Sequence, residues 1–225
     1  MAGSRLLVGI FLWSACIISA QAFNGFGQEI DGYIKESAQR YRVSESMLRG
    51  LIKMEDGWYG KRSPTGALGV GQFTQKTWNW LARSSQGKAI GMRLITTSNR
   101  GTRSDPRYHQ RINTFATALL ARWHLEQFAL RGIKPTDEHL YLAHNLGVEG
   151  LHRALLGQST AEDIKNMRLN GMKKGMSVSS FIAYQKGRYQ THKYLANAPH
   201  QREQEVIWIT STDNQIVWIS PPTTF

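Results

Sequence analysis

From Gln28 onward, apolar residues return at intervals of three and four. Ile30, Tyr33, Ile34, Ala38 and Tyr41 form one stripe, which predicts an amphipathic helix. Ser44 can cap a second helix reaching Met54, with Glu45 in its first turn. The period disappears between Asp56 and Val70, where Gly57, Gly60, Pro64, Gly66 and Gly69 predict a loop. Thr74 can cap a third helix carrying Trp78 and Leu81. Residues 87–104 are polar and basic without a period. Asp105 and Pro106 then supply an N-cap and a first-turn proline for a long helix bearing Ile112, Phe115, Ala116, Leu119, Leu120 and Trp123, which Gly132 stops. Thr136 opens a shorter helix to Leu146, Gly147 interrupts it, and the pattern resumes over residues 148–156. Ser159 to Glu162 reads as a capping box, and a last helix is expected over residues 179–196. After Pro199 two short apolar runs, containing Trp208 and Trp218, flank Asp213-Asn214 and predict a β-hairpin. With apolar residues on both its faces, that hairpin is expected to pack on the helical body. The expected fold is all-α, with many short helices and a small C-terminal β-hairpin.

Composition keeps this picture globular. Of 225 residues, 41% are hydrophobic and 20% charged, which is too apolar for a disordered chain. The first five residues carry one positive charge, residues 6–20 are almost wholly apolar, and Ala20-Gln21-Ala22 places small residues one apart. That layout predicts a secretory signal peptide over residues 1–22, and hence export to the periplasm. An uncleaved anchor is the alternative, although a membrane span needs about 20 apolar residues. Acylation of Cys16, as in a lipoprotein, is the weaker reading because the apolar run continues past it. Cys16 is the single cysteine, so its loss leaves no disulfide, metal thiolate or cysteine nucleophile. The formal charge is +12, and only Arg5 of that charge leaves with the leader. An exported basic protein meets anionic envelope polymers and lipid headgroups before it meets nucleic acid, so no nucleic-acid partner is expected. Arg83, Lys88, Arg93, Arg100, Arg103, Arg107 and Arg111 concentrate this charge beside a single acid, Asp105, and a solvated basic face accounts for them equally well.

One residue stands out chemically. Met47, Leu48, Leu51 and Ile52 form the apolar stripe of the second helix, and at about 100° per residue Glu55 falls on the same stripe. A carboxyl there is partly desolvated, which raises its pKa and lets it donate a proton near neutral pH. The plainer alternative is a frayed helix end with Glu55 in solvent. The following loop, SPTGALGVGQF over residues 63–73, is small and glycine-rich and ends in Gln72 and Phe73. Glycine lets its backbone approach a ligand, the amide can hydrogen-bond a sugar substituent, and aromatic faces suit sugar rings. No Gly-Lys-Ser/Thr ending follows, which excludes a phosphate-binding P-loop. His139 and His144 are five apart, which does not set them on one helix face as metal ligands. Neither a metal nor a cofactor is expected.

Glu55, the segment Ser63 to Phe73, Thr77-Trp78, and Ala143-His144-Asn145-Leu146-Gly147 occur in an order that resembles the catalytic domain of the soluble lytic transglycosylases, relatives of goose-type lysozyme. Thr191 to Leu195 is similar to the segment that supplies a tyrosine facing the catalytic glutamate in that family. Together these cover most of residues 28–198, so the expected organisation is a leader at 1–22, a catalytic domain at 23–198 and an extension at 199–225. The resemblance implies a lysozyme-like fold around a substrate groove. It implies cleavage of the β-1,4 bond between N-acetylmuramic acid and N-acetylglucosamine, with closure of a 1,6-anhydro ring. Glu55 would act as acid and then base. Gln72, Asn145 and Tyr194 would orient the sugar amides and Glu55, while Ser63, Gly66, Phe73 and His144 would shape the groove. Peptidoglycan strands would be the partner, with an envelope-spanning secretion, conjugation or phage assembly as a further one by analogy. Two departures stand out: Asp56 replaces the family's serine, and His144 replaces its tyrosine. A charge at Asp56 would disfavour ionisation of Glu55. They keep open a lysozyme-type hydrolase, with Asp56 activating water, and a catalytically silent wall-binding protein.

Overall fold

The computed structural model describes the backbone of residues 23–204 and of two short strands, and side chains over residues 23–198. The leader over 1–22 and its Cys16, Trp208 and the Asp213-Asn214 turn lie outside the described residues. The order is α1 (Gln28–Tyr41), α2 (Glu45–Glu55), α3 (Gln75–Arg83), α4 (Ser85–Ala89), a 3-10 turn (Pro106–Tyr108), α5 (Gln110–Arg131), α6 (Asp137–Leu146), α7 (Val148–Leu155), α8 (Ala161–Leu169) and α9 (Val178–Gln204). The body is all-α. Strands Ile209–Thr212 and Gln215–Trp218 lie antiparallel, with Ile209 opposite Trp218. Among the described residues no helix is long and apolar enough to cross a membrane.

Local chemistry sets most helix ends. Ser44 accepts a hydrogen bond from the Met47 N–H at 3.1 Å to open α2. Asp56 closes it in the left-handed conformation, its N–H bonded to the Ile52 carbonyl. The chain therefore leaves the helix immediately after Glu55. Thr74 and Thr136 cap α3 and α6 as their sequences indicate.

Four boundaries differ from the sequence pattern. Ser84 caps a five-residue helix, α4, inside the basic stretch; it is too short for an apolar face to reveal it. Asp105-Pro106 opens only the 3-10 turn, and His109 caps the long helix α5. The capping box sits one residue later, on Thr160 and Asp163. Asp163 also binds Arg153 through two bonds of 2.7 and 2.6 Å, a tertiary contact that favours this register. Finally, α9 continues past Pro199 to Gln204.

Helix α5 is enclosed on all sides from Asn113 to Ala121, which makes it the axis of the body. One apolar cluster lies between α1, α2, α6, α7 and α9, with Ile34, Leu48, Leu51, Leu142 and Phe181 at its centre. A second, built on Phe73, Trp78, Leu81, Phe115 and Leu119, fills the space between α3 and α5. Helix α2 is fixed by α9. Gly50 leaves no room for a side chain beside Lys193, whose Cβ would lie 2.8 Å from an added Cβ. The buried Tyr189 hydroxyl donates to the Met47 carbonyl at 3.0 Å. This packing fixes the helix that ends in Glu55.

Candidate active site

Glu55 ends α2 at the wall of a cleft of about 630 Å³. Its floor and near wall come from the glycine-rich loop and the end of α6. Asn166, Leu169 and Asn170, on and just beyond α8, complete the opposite wall. Sequence periodicity had no means of bringing α8 to this place, because tertiary packing, including that against α6, is what seats it there.

The loop is a pair of tight turns rather than a flexible strap. The Gly66 N–H bonds the Ser63 carbonyl at 2.9 Å, and the Gln72 N–H bonds the Gly69 carbonyl at 2.9 Å. Leu68 and Phe73, which bracket the second turn, exchange two backbone bonds. Gln72 is left-handed at φ 47°, a conformation that few side chains other than asparagine and aspartate adopt readily. Its side chain compensates by donating to the Lys61 carbonyl at 2.9 Å and the Gly69 carbonyl at 3.1 Å. From below, Asn113 on α5 accepts from the Gly71 N–H at 2.8 Å. Arg107 donates to the carbonyls of Gly66 and Phe73 at 2.9 and 2.8 Å. Asp105 grips the same guanidinium through bonds of 3.0 and 2.7 Å. Both partners are buried, so Arg107 does not belong to the basic face that its neighbours in sequence suggest. Arg111 is likewise paired, with Glu36, whereas Arg83, Lys88, Arg93, Arg100 and Arg103 are exposed.

On this frame the carboxyl of Glu55 meets the Nδ2 of Asn145 at 3.2 Å. Burial lifts its pKa above the ordinary carboxylate range. His144, the Asn145 hydrogen bond and Arg188 each pull it back, without cancelling the rise. His144 uses Nε2 to donate to the Gly71 carbonyl at 2.8 Å and packs edge-on against Phe73. It ties α6 to the loop.

Asp56 turns the other way. Its carboxylate accepts from Tyr59 and Lys61 at 2.8 Å each. Burial raises its pKa, but the bonds from Lys61 and Tyr59 outweigh that and leave it lowered. It does not line the cleft, and it is not among the groups that shift Glu55. The expected disturbance of Glu55 by Asp56 is therefore not found. Among the described residues lining the cleft, Glu55 is the only acid.

The chain brings Glu55, Ser63, Gln72, Phe73, His144 and Asn145 to one cleft. Gly66 shapes it indirectly, through the turn it closes and the carbonyl it gives Arg107. Trp78 is wholly buried and spends its indole N–H on the Arg93 carbonyl, so it offers no face to a ligand. Tyr194 is not brought to the site: it is 70% exposed and does not line the cleft. At about 100° per residue it lies some 140° around α9 from the inward-facing Tyr189. The tyrosine near the acid is Tyr141, buried and stacked on Tyr189 at 5.3 Å. Burial, and then the charge of Glu55, raise its pKa. Its spacing was the available signal, since Tyr141 and Asn145 are four apart on one face of α6.

The chain matches no protein-family model and no curated protein. Among the described residues no group of three or more His, Cys, Asp or Glu side chains converges as a metal site would require.

Proposed function

We propose that this protein is a lytic transglycosylase that cleaves the MurNAc-β-1,4-GlcNAc bond of peptidoglycan, with Glu55 as both acid and base. The observation that carries the reading is a single carboxyl, raised in pKa by burial, hydrogen-bonded by Asn145 and, among the described residues, the one acid lining a sugar-sized cleft. Protonated Glu55 donates to the glycosidic oxygen, and the bond from that oxygen to the muramyl C1 breaks. The muramyl N-acetyl oxygen stabilises the cationic C1. The carboxylate of Glu55 then takes the proton of the same sugar's 6-hydroxyl, and the O6–C1 bond closes the 1,6-anhydro ring. Glu55 ends protonated, ready for another cycle, and no water is consumed.

A hydrolase with two carboxylates needs a second acid facing the bond. Asp56, the candidate for that role, is held by Lys61 and Tyr59 away from the cleft, which favours ring closure over hydrolysis. Asn145 orients Glu55, Tyr141 takes the place expected of Tyr194 beside it, and the Oε1 of Gln72, which has no partner among the described residues, is available to a sugar N–H. A lysozyme-like arrangement of the helices, a C-terminal hairpin and export to the periplasm belong to the same reading.

Digestion of purified sacculi, with mass spectrometry of the products, tests it. Anhydro-muropeptides are expected, and Glu55→Gln is expected to release none while keeping the fold. Reducing-end muropeptides would instead indicate a hydrolase. Retained binding to sacculi without turnover would indicate a silent wall-binding protein.

A further inference from the structure

A second cleft, of about 670 Å³, adjoins the first and shares Thr74, Thr77, Leu120, His144, Asn145 and Asn166 with it. A ligand held at Glu55 can therefore continue into it without leaving the surface. Its far wall is the start of α7. Gly147, which has no side chain to cap the helix, stands at that start, and the first internal bond runs from the Leu151 N–H to the Gly147 carbonyl at 3.0 Å. The N–H groups of residues 148–150 thus lack intrahelical acceptors and carry the positive end of the helix dipole.

An independent feature lies on the same cleft. His124 is 3% exposed and lines the cleft, yet its ring has no hydrogen-bond partner among the described residues. Burial, with the charge of His144 adding to it, lowers its pKa to about 3. It is a neutral imidazole with one donor and one acceptor to offer. Its nitrogens are not sealed in as the unpartnered His139 Nε2 is; they open on the cleft, where a ligand can meet them. Beside it, Trp123 and the exposed Trp80 meet edge to face at 4.8 Å. The charges around them are unequal. Arg153 is held by Asp163, and the Glu149 carboxylate is turned to Arg131. Lys76 lines the same cleft, and no acid among the described residues pairs with it.

We propose that this second cleft binds the peptide carried on the lactyl group of the muramyl residue, seating a peptide carboxylate on the opening N–H groups of α7. The inference rests on the proposed cleavage at Glu55 and adds a recognition element to it. A carboxylate answers the helix end and Lys76, a peptide amide answers His124, and the tryptophans cover the apolar side chains. In a wall strand, the sugars carry a carboxylate only through that lactyl group and its peptide, so an anion-seeking cleft beside the sugar cleft fits the peptide better than more glycan.

Binding to the full chain carrying Glu55→Gln tests this. The probes are a GlcNAc-MurNAc tetrapeptide, the same disaccharide without peptide, the free tetrapeptide, and that peptide ending in a carboxamide. One charge-assisted contact set predicts about tenfold tighter binding of the peptide-bearing disaccharide. The free peptide is expected to shift the indole resonances of Trp80 and Trp123, and the carboxamide to lose about tenfold. His124→Phe and, on the exposed surface, Lys76→Ala should each remove the peptide's advantage. Equal binding of the two disaccharides, or undisturbed tryptophan signals, overturns the inference. So does equal weakening of both disaccharides by the two variants, which would assign the cleft to glycan. Cleaved sacculi with a silent free peptide would sink this inference alone. Indole shifts with peptide but no cleavage would sink the proposed reaction and leave this site standing.

Discussion

Asn145 donates its amide to the carboxyl of Glu55 across 3.2 Å, although ninety positions separate them in the chain. The same Nδ2 also meets the Tyr141 carbonyl at 3.2 Å, so the amide is oriented by its own helix before it reaches the acid. A donor to the ionised form lowers a pKa, and here it tempers the rise that burial causes.

Asn145→Ala is therefore expected to raise the Glu55 pKa further. Because the acid must be protonated to act, the alkaline limb of kcat/KM should move to higher pH. The maximum should fall about 10²-fold, the scale of one preorganised donor. A pH–rate profile of sacculus solubilisation measures both effects.

Glu55→Gln should abolish turnover and yet stabilise the fold at neutral pH. The folded-state pKa of Glu55 is raised above its unfolded value. The wild type therefore keeps its full stability below the unfolded pKa and loses part of it as pH rises through the folded pKa. Glutamine escapes that loss. The difference in Tm between variant and wild type should be near zero in acid and positive at pH 7.

Asp56→Asn should leave the reaction almost unchanged, within about 0.5 kcal/mol or twofold. Asparagine tolerates the left-handed backbone at φ 55°, and the side chain faces Lys61 rather than the cleft. A large loss of rate, with reducing products in the wild type, would return Asp56 to the chemistry.

Arg107→Leu should cost about 3–5 kcal/mol, because it strands a buried carboxylate and two loop carbonyls together. Urea unfolding reads the loss, and the loop beside Glu55 should lose its protection from hydrogen exchange first. At Asp105 burial works to raise the pKa, but the bonds from Arg107 and the Gly101 N–H outweigh it and leave the pKa lowered. This group's contribution to stability is present above the unfolded pKa and lost as pH falls through the folded one.

Gly57→Ala should impair catalysis through packing. An added Cβ would lie 2.3 Å from the Gly69 carbonyl and 2.4 Å from the Gln72 amide, so the loop must withdraw from the end of α2. A loss of about 1–3 kcal/mol in stability is expected, with a fall in kcat that far-UV circular dichroism does not foreshadow.

The local code of the chain carried much of this protein. The apolar stripe Met47, Leu48, Leu51 and Ile52 set the face of α2 and put Glu55 on it, and Ser44, Thr74 and Thr136 marked helix starts, because caps and periodicity are interactions within a few residues. The glycines and proline of residues 57–69 announced a loop for the same reason, although not that it is built as two tight turns.

What lay beyond that range required the folded body. Periodicity could not choose between His109 and Asp105 as the cap of α5, since both can accept the first-turn bond. It could not bury Arg107 out of a basic stretch, because only the turns at Gly66 and Phe73 supply the carbonyls that hold it there. Nor could it prefer Tyr141 to Tyr194, a choice made by the rotation of α9 against α2 around Gly50. Sequence alone fixed which residue could be an acid on a buried stripe. Only tertiary packing decided what surrounds that acid, because desolvation, the Asn145 amide and the turning away of Asp56 all arise from groups that the chain brings together in space.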